Sequence, residues 1–203
     1  MWALVDDSNN VTNVYGTFPP KITINDRNYD GKELKGMSEV EKNAIKIYEV
    51  TPASRFDENY YVNSNASYAK VGDKVVETIT KAADKALADV NAVDENGDPV
   101  LDDDGVQLIN YGLKTDKKKI IKQQASGLLE KTDWHNHKAL DDDTYTTPDN
   151  IKTYRANVRA KSNEMETQID ACTNVDELKA LYEYTEQDDG TITRPLAEFP
   201  EEI

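Results

Sequence analysis

One run of regularly spaced apolar residues constrains the fold of this chain more than any other feature. The run is preceded by Thr147 and Pro148, a pair typical of a helix start, because Thr can cap the first turn and Pro gives up no hydrogen bond there. The side chains that follow recur at spacings of 3, 4, 7, 4 and 3 and are Ile151, Tyr154, Val158, Met165, Ile169 and Cys172. This period predicts one long helix whose narrow apolar stripe packs on a neighbouring helix of the chain or on a helix of a partner.

The preceding segment predicts that neighbouring helix. Residues 116–131 place apolar side chains roughly on one face, and Thr115 or Asp116 is the expected N-cap. The lysine-rich run 114–122 can mark nucleic-acid contact. In so acidic a chain, we expect its lysines to remain solvated and to offset the carboxylates of residues 94–104.

The first half of the chain is predicted to form short strands joined by turns. In chain order the strands are Trp2–Val5, Val11–Val14, Lys21–Ile24, Ile45–Val50, residues 60–62, Ser67–Val71 and Lys74–Thr80. Ser38 and Glu41 have the spacing of a capping box, which predicts a short helix near residues 39–44. Gly72 and Asp73 favour a type II′ or related tight turn between the last two strands.

These patterns predict an α+β protein with a small antiparallel β-rich N-terminal part and a helical C-terminal part, which is a helix–loop–helix plus a short helix. A β-rich domain with one short helix spans residues 1–80, and residues 81–113 form a linker and an acidic β-hairpin. The helical domain covers residues 114–184, with Asn174 as the cap of its last short helix. Residues 185–203 form an extended acidic tail.

The charge of the chain limits its partners. Lys and Arg number 24 against 39 Asp and Glu, which gives a formal net charge of −15. Such a field repels nucleic acid and anionic lipid, so we expect neither as a partner. The chain has no apolar run long enough for a membrane span and no signal-peptide pattern at its start. Its single cysteine, Cys172, permits no intrachain disulfide, so we expect folding in a reducing cytoplasm.

One acidic segment resembles a calcium loop in part. Residues 94–105 carry oxygen ligands at positions 94, 96 and 98, but Pro99 stands where the EF-hand loop needs Gly. We therefore predict two polar turns, Asn96-Gly97 and Asp104-Gly105, around a short strand. Calcium binding by these turns stays open.

A second candidate metal site contains both histidines of the chain. His135 and His137 follow Asp133 and precede Asp141–Asp143, and a His-x-His pair with a carboxylate can ligate a metal. A metal-binding module or metal-dependent hydrolase is therefore the alternative of a different class. We expect the histidines instead in a polar surface loop, without a metal. Because the chain has no nucleophile elbow, Walker sequence or dinucleotide-binding glycines, we predict no enzymatic activity and no cofactor.

Trp134 is the informative residue of the predicted loop. A large ring among hydrophilic residues usually closes a small core or anchors an interface. We expect it to close the helix–loop–helix. Arg155 and Arg159, four residues apart on the second helix, are expected to face the carboxylates of Asp141–Asp143 or a partner.

The same stretch resembles a known family. The residues that carry the resemblance are Leu128-Leu129, Thr132-Asp133-Trp134, Asp141–Asp143, Pro148, Ile151, Tyr154-Arg155 and Val158-Arg159. They are similar to the Leu-Leu, Thr-Asp-Trp, Asp, Tyr-Arg pattern of the phage tail assembly chaperone-like domain. That domain occurs in tail-fibre-assembly and tail-associated proteins of tailed bacteriophages, which the N-terminal half resembles more loosely.

The resemblance implies a non-enzymatic structural or assembly protein of a phage tail, made in the host cytoplasm and retained in the virion. Its implied partners are tail-fibre, baseplate or other tail proteins of the same phage, and a homo-oligomer stays open. A transient tail-fibre assembly chaperone, absent from the virion, is the alternative within this class. The signature residues implied to serve structure or partner binding are Trp134, Asp133, Tyr154, Arg155 and Arg159.

Overall fold

The structure, a computed structural model, describes residues 1–24 and 26–203 and has the α+β class expected from the sequence. The chain forms two compact units, Met1–Ala83 and Asp84–Ile203. The first contains β1 (Trp2–Val5), β2 (Val11–Tyr15), β3 (Lys21–Ile24), β4 (Arg27–Asp30), α1 (Gly31–Gly36), α2 (Glu39–Ala44), β5 (Ile47–Thr51), β6 (Tyr61–Asn63), β7 (Ser67–Val71) and β8 (Lys74–Thr78), with β9 (Lys81–Asp84) at the boundary. The second contains β10 (Val90–Asn91), β11 (Ile109–Asn110), α3 (Leu113–Glu130), α4 (Asp133–Asp141), α5 (Asp149–Ala171), α6 (Val175–Ala180), β12 (Thr185–Glu186) and β13 (Ile192–Thr193).

Five strands of the first unit form one sheet in the order β2-β1-β5-β8-β7. Its neighbours run antiparallel, as expected for most of this part, except β5 and β8, which are parallel. The parallel pair arises because the chain passes through β6 and β7 before it returns as β8. The edge strands β2 and β7 contact each other, so the sheet curls towards a small barrel.

Each face of this sheet carries an apolar cluster. The cluster on the face where the sheet closes is Ala3, Val5, Tyr48, Val50 and Val75, with side chains of β2 and β7 packed against it. The cluster on the other face includes the β3–β4 hairpin and α1 and is Phe18, Ile22, Ile24, Tyr29, Leu34 and Ile47. The first unit therefore has its own core on both sides of β1 and β5.

Local signals predict most of the first unit. All its predicted strands are present with ends shifted by at most two residues, and Gly72 has the positive φ of 58° that the first position of a type II′ turn requires. The capping box is confirmed, since Glu41 N donates to Ser38 Oγ at 3.3 Å and Ser38 N donates to the Glu41 carboxylate at 2.8 Å. The expectation of one short helix is wrong, because α1 precedes α2 and is capped by Asp30.

The long amphipathic helix of the second unit is confirmed as α5, but its N-cap is Pro148 and no side chain caps it, so the expected cap by Thr147 is wrong. Its predicted stripe is buried, with Cys172 at the C-cap: Ile151, Tyr154, Val158, Met165, Ile169 and Cys172. It packs along α3, so the neighbouring helix of the chain is the correct alternative. Leu178 of α6 and Leu196 after β13 are also buried.

The start of α3 differs from the prediction, because its N-cap is Gly112 and not Thr115 or Asp116. Gly112 N donates to Asp89 Oδ1 at 2.8 Å. The next two amides of the helix donate to backbone carbonyls of residues 86–87. Since these partners lie some two dozen residues earlier in the chain, the residues around the helix start do not reveal the cap.

The acidic segment folds as the two predicted polar turns. Asp94 Oδ1 accepts the amides of Asn96 and Asp98 at 2.8 and 2.9 Å, and Asp102 Oδ1 makes the equivalent pair of bonds. Gly97 and Gly105 have φ of 87° and 79°, which a residue with a side chain rarely adopts. The turn residues therefore have the conformations that their sequence predicts.

Two further expectations for the second unit are corrected. Residues 133–141 form α4, where a loop was expected. The tail is not extended throughout, because β12 and β13 pair in a hairpin, after which Phe199 packs against the buried side chains of α3 and α5. Within the described part of the chain, no helix is both long and apolar enough to cross a membrane.

Candidate partner-binding site

Two of the signature residues, Asp133 and Arg155, meet where α3 ends and α4 begins, against the side of α5. Arg155 lies at the centre with 8% of its side chain exposed. Its Nη1 donates to Leu129 O and to Thr132 Oγ1, and its Nη2 donates to Asp133 Oδ1, each at 2.7 Å. We call Leu129, Thr132, Asp133 and Arg155 the Arg155 clamp. One buried cation thus joins three helices through two helix ends.

The clamp matches the electrostatics of these helix ends. The last carbonyls of α3 lack helical partners and form the negative end of the helix dipole, which favours the guanidinium of Arg155. Asp133 lies in the first turn of α4, where a carboxylate is favoured. Thr132 Oγ1 also donates to Leu129 O at 3.0 Å, so the hydroxyl both accepts and donates. Each polar group of the clamp therefore has a hydrogen-bond partner, and the guanidinium lies against a carboxylate and the negative end of a helix.

The two arginines do not face Asp141–Asp143, so that expectation is wrong. Arg155 pairs with Asp133, and Arg159 is exposed, with a 3.4 Å bond from its Nη1 to Arg155 O. Within residues 1–24 and 26–203, no carboxylate lies at ion-pair distance from Arg159. Asp142 accepts the Thr144 amide and hydroxyl instead, and the hydroxyl and amide together lower the pKa of its carboxyl.

Trp134 does not close the helix–loop–helix. Its side chain is 55% exposed, and α4 has no buried residue. Successive residues of a helix point about 100° apart, so the same turn that directs Asp133 towards Arg155 directs Trp134 outwards. Tyr154 contributes to the core instead, in a cluster with Ala125 and Val158. The clamp and this cluster together hold the corner closed.

The exposed indole is held by aromatic neighbours. The ring of His135 stacks on Trp134 with centroids 3.7 Å apart, and the ring of Tyr145 lies beside both, 6.1 Å from that of His135 and 6.4 Å from that of Trp134. His135 Nδ1 is hydrogen-bonded to the Tyr145 hydroxyl. Lys138 Nζ lies 4.4 Å from the centroid of the Tyr145 ring. We call Trp134, His135 and Tyr145 the aromatic stack.

The two histidines lie on α4 and not in a loop. His135 uses Nδ1 for Tyr145, and His137 is exposed two positions further on, towards the opposite side of the helix. Over the described residues, no group of three or more His, Cys, Asp or Glu side chains is arranged to hold a metal ion. The carboxyl pKa of Asp94 is lowered by the amides of Asp98 and Asn96, so backbone donors engage that carboxylate in the calcium-like loop.

Cys172 is buried at the end of α5. Burial, and then the charge of Glu177, raise the pKa of its thiol. Because the thiolate is the nucleophilic form, the environment disfavours reactivity. A structural role in the core accounts for this residue.

No protein-family model, curated protein or solved structure gives a significant match to the chain. The site is therefore described by its own geometry. Sequence reasoning found Asp133, Trp134, Tyr154, Arg155 and Arg159, and the structure brings Asp133 and Arg155 into contact while leaving Trp134 and Arg159 on the surface.

Sequence reasoning missed the roles of His135 and Tyr145 in the aromatic stack and of Thr132 in the clamp. The resemblance includes Thr132, but no local pattern predicts a hydroxyl that serves an arginine in a later helix. Chemically, the arrangement presents an aromatic surface on a rigid corner, and the nearby polar groups engage one another.

Proposed function

We propose that this protein is a non-enzymatic structural or assembly component of a tailed-bacteriophage tail that binds a tail-fibre or baseplate protein and stays in the virion. One observation carries the proposal: residues of the resemblance meet in the Arg155 clamp, and the clamp leaves Trp134 exposed. The buried residues explain why such a signature would include Thr-Asp and Tyr-Arg. The exposed indole needs a second explanation.

Partner binding supplies that explanation. Tryptophan is among the residues most enriched at the energetic centres of protein interfaces, because it offers a large apolar area and one hydrogen-bond donor. The stack on His135 restricts the indole before any partner arrives, and less rotamer entropy is then lost on binding. A partner that covers the ring would bury a surface that now faces water.

The test compares two exposed residues of α4 in phage-infected cells. Tagged full-length protein carrying Trp134→Ala is expected to recover at least about tenfold less tail-fibre or baseplate protein than the wild type, as for an interface hot spot. Leu140→Ala is the matched control, because Leu140 is also exposed on α4. Equal recovery by both variants, or co-purification of proteins unrelated to the tail, would contradict the proposal.

Mass spectrometry of purified virions separates the two forms of the proposal. Stoichiometric protein in the tail is expected for a virion component. Its presence in infected cells but absence from virions would leave the transient tail-fibre assembly chaperone. Stoichiometric zinc or calcium in protein purified without chelator, together with an activity lost on metal removal, would contradict both forms and support the metal-dependent class.

A further inference from the structure

The acidic segment before α3 closes into a ring with approximate threefold symmetry. Three short extended pieces, residues 91–93, 99–101 and 107–109, repeat every eight residues. Their central amides donate in a cycle: Ala92 N to Leu108 O at 2.8 Å, Val100 N to Ala92 O at 3.0 Å, and Leu108 N to Val100 O at 2.9 Å. In each flanking pair, the residue after the centre of one strand pairs with the residue before the centre of the next strand. These pairs are Val93 with Pro99, Leu101 with Gln107, and Ile109 with Asn91. We call these nine residues the three-strand ring.

The middle of the ring is filled by one side-chain amide. Gln107 Nε2 lies 2.8 Å from Ala92 O, 2.9 Å from Leu108 O and 3.1 Å from Val100 O, so its two N–H groups are shared among three carbonyls. These are the carbonyls that also accept the cyclic backbone bonds. The ring therefore has its polar groups satisfied internally, and its backbone does not depend on the identity of the outward side chains.

Four aliphatic residues of the ring are exposed; Leu108 is one of its central residues, and the other three occupy equivalent positions. Val93, Leu101 and Ile109 are 57%, 53% and 48% exposed. Each follows the central residue of its own strand by one position, so the three occupy equivalent positions in the ring. An exposed group of three large aliphatic residues on a small polar element is unusual for a surface that meets only water.

The surroundings of these side chains carry one sign of charge. The two turns contribute six carboxylates, which are Asp94, Glu95, Asp98, Asp102, Asp103 and Asp104. Residues 86–113 contain no Lys, Arg or His. Along the chain these aliphatic residues are thus flanked by carboxylates and by no basic residue, which favours a partner with positive charge around its contact surface.

We propose that the three-strand ring is a second docking surface, separate from Trp134, for a protein segment with an apolar face bordered by Lys or Arg. The aliphatic side chains of Val93, Leu101 and Ile109 supply the contact area, and the turn carboxylates select the charge of the partner. A second copy of this chain is disfavoured as the occupant, because it would bring two identical sets of carboxylates together.

The test uses full-length protein and a labelled peptide of alternating Leu and Lys, with binding measured by fluorescence anisotropy. Combined Val93→Ser, Leu101→Ser and Ile109→Ser substitutions are expected to weaken binding at least about tenfold, because three apolar contacts are lost. The matched control replaces three exposed aliphatic residues elsewhere, Val40→Ser, Val71→Ser and Leu140→Ser, and is expected to leave the affinity within about twofold. Trp134→Ala is likewise expected to have no effect.

Two further comparisons keep the result decisive if the triple Ser variant unfolds. Combined Glu95→Gln, Asp103→Asn and Asp104→Asn substitutions leave the aliphatic residues and both turn-capping aspartates in place. We expect this variant to bind the Leu-Lys peptide more weakly than the wild type does. A Leu-Glu peptide and a Ser-Lys peptide are expected not to bind. Equal binding of the Leu-Lys and Ser-Lys peptides would overturn the proposal, because charge alone would then explain the affinity. A dimer in light scattering that the triple Ser variant dissociates would overturn it as well, in favour of a second copy.

Discussion

Replacing Arg155 tests whether the clamp holds the helical corner together. Arg155→Ala removes three bonds of 2.7 Å, to Leu129 O, Thr132 Oγ1 and Asp133 Oδ1. After the change, Leu129 O retains the amide and hydroxyl of Thr132 as donors, and Asp133 can turn to water because 45% of its side chain is exposed. Thr132 Oγ1 loses the donor it accepts from but still donates to Leu129 O, so each of the three groups keeps a partner or reaches water.

The expected cost follows from this inventory. One bond ends on the buried hydroxyl of Thr132 and one on the half-buried Leu129 O, and a hydrogen bond to a charged group contributes about 1.5 kcal/mol or more. The bond to the half-exposed Asp133 adds less than about 1 kcal/mol after solvent screening. We expect Arg155→Ala to lower the free energy of unfolding of the second unit by about 3 kcal/mol, and Asp133→Asn to lower it by less than about 1 kcal/mol.

The assay can be confined to the unit that contains the clamp. The chain has 2 tryptophans, and Trp2 lies in the first unit while Trp134 lies in the second. In a Trp2→Phe background, urea unfolding followed by fluorescence reports on Trp134 alone, and the midpoint and slope give the change in unfolding free energy.

Arg159→Ala is the matched control, because Arg159 lies one turn along α5 and is exposed. We expect this substitution to change the unfolding free energy by no more than about 0.5 kcal/mol. If Arg155→Ala costs no more than Arg159→Ala, the clamp does not stabilise the corner and the reasoning is wrong.

Three further predictions concern other residues of the second unit. Trp134→Ala is expected to change the unfolding free energy by less than about 1 kcal/mol, because the ring is largely exposed; circular-dichroism melting that shows a cost of a buried aromatic, about 3 kcal/mol or more, would contradict this. Gly112→Ala is expected to destabilise the unit by roughly 1–3 kcal/mol in urea unfolding, because a Cβ there would lie 2.4 Å from the carbonyl carbon of Ala88, and a neutral effect would show that the 86–89 segment moves freely. The carboxyl pKa of Asp89 is lowered by the Gly112 amide and then by the Thr115 hydroxyl, so its contribution to stability is complete above the unfolded value of about 3.9 and is lost as the pH falls through the lower folded pKa. Asp89→Asn should therefore flatten the acid end of the stability profile between about pH 5 and pH 2.5, and an unchanged profile would refute this role.

The parts of the fold that the sequence predicts are those encoded within a few neighbouring residues. The stripe of α5 follows from apolar residues spaced three, four or seven positions apart, and the cap at Ser38 needs only Glu41 three positions later. The turn at Asp94 is equally local, because its carboxylate accepts amides two and four residues on. In each case the partner is close enough in the chain for the pattern to be visible.

The parts that the sequence does not predict depend on distant partners. The segment that becomes α4 has no apolar stripe, and the contact at its start comes from Arg155, 22 positions after Asp133. The amide of Gly112, the N-cap of α3, donates to Asp89, 23 positions earlier in the chain. This contact also explains why the compact unit begins at Asp84 and not at residue 114. The prediction that Trp134 closes the helix–loop–helix is wrong for the same reason. The distant Arg155 binds Asp133, and the helix then directs the next residue, Trp134, towards solvent.

The three-strand ring also has a consequence for how this segment can vary in length. Its three pieces form a closed cycle, so each hydrogen bond depends on a repeat of eight residues. One inserted residue would reverse the direction of the side chains after it and break the cycle at that strand. The backbone of the ring therefore tolerates changes at the exposed turn residues, provided that the capping aspartates and the left-handed glycines remain. Insertions or deletions should be absent between residues 91 and 109, and a chain that lost one repeat should lack the whole ring.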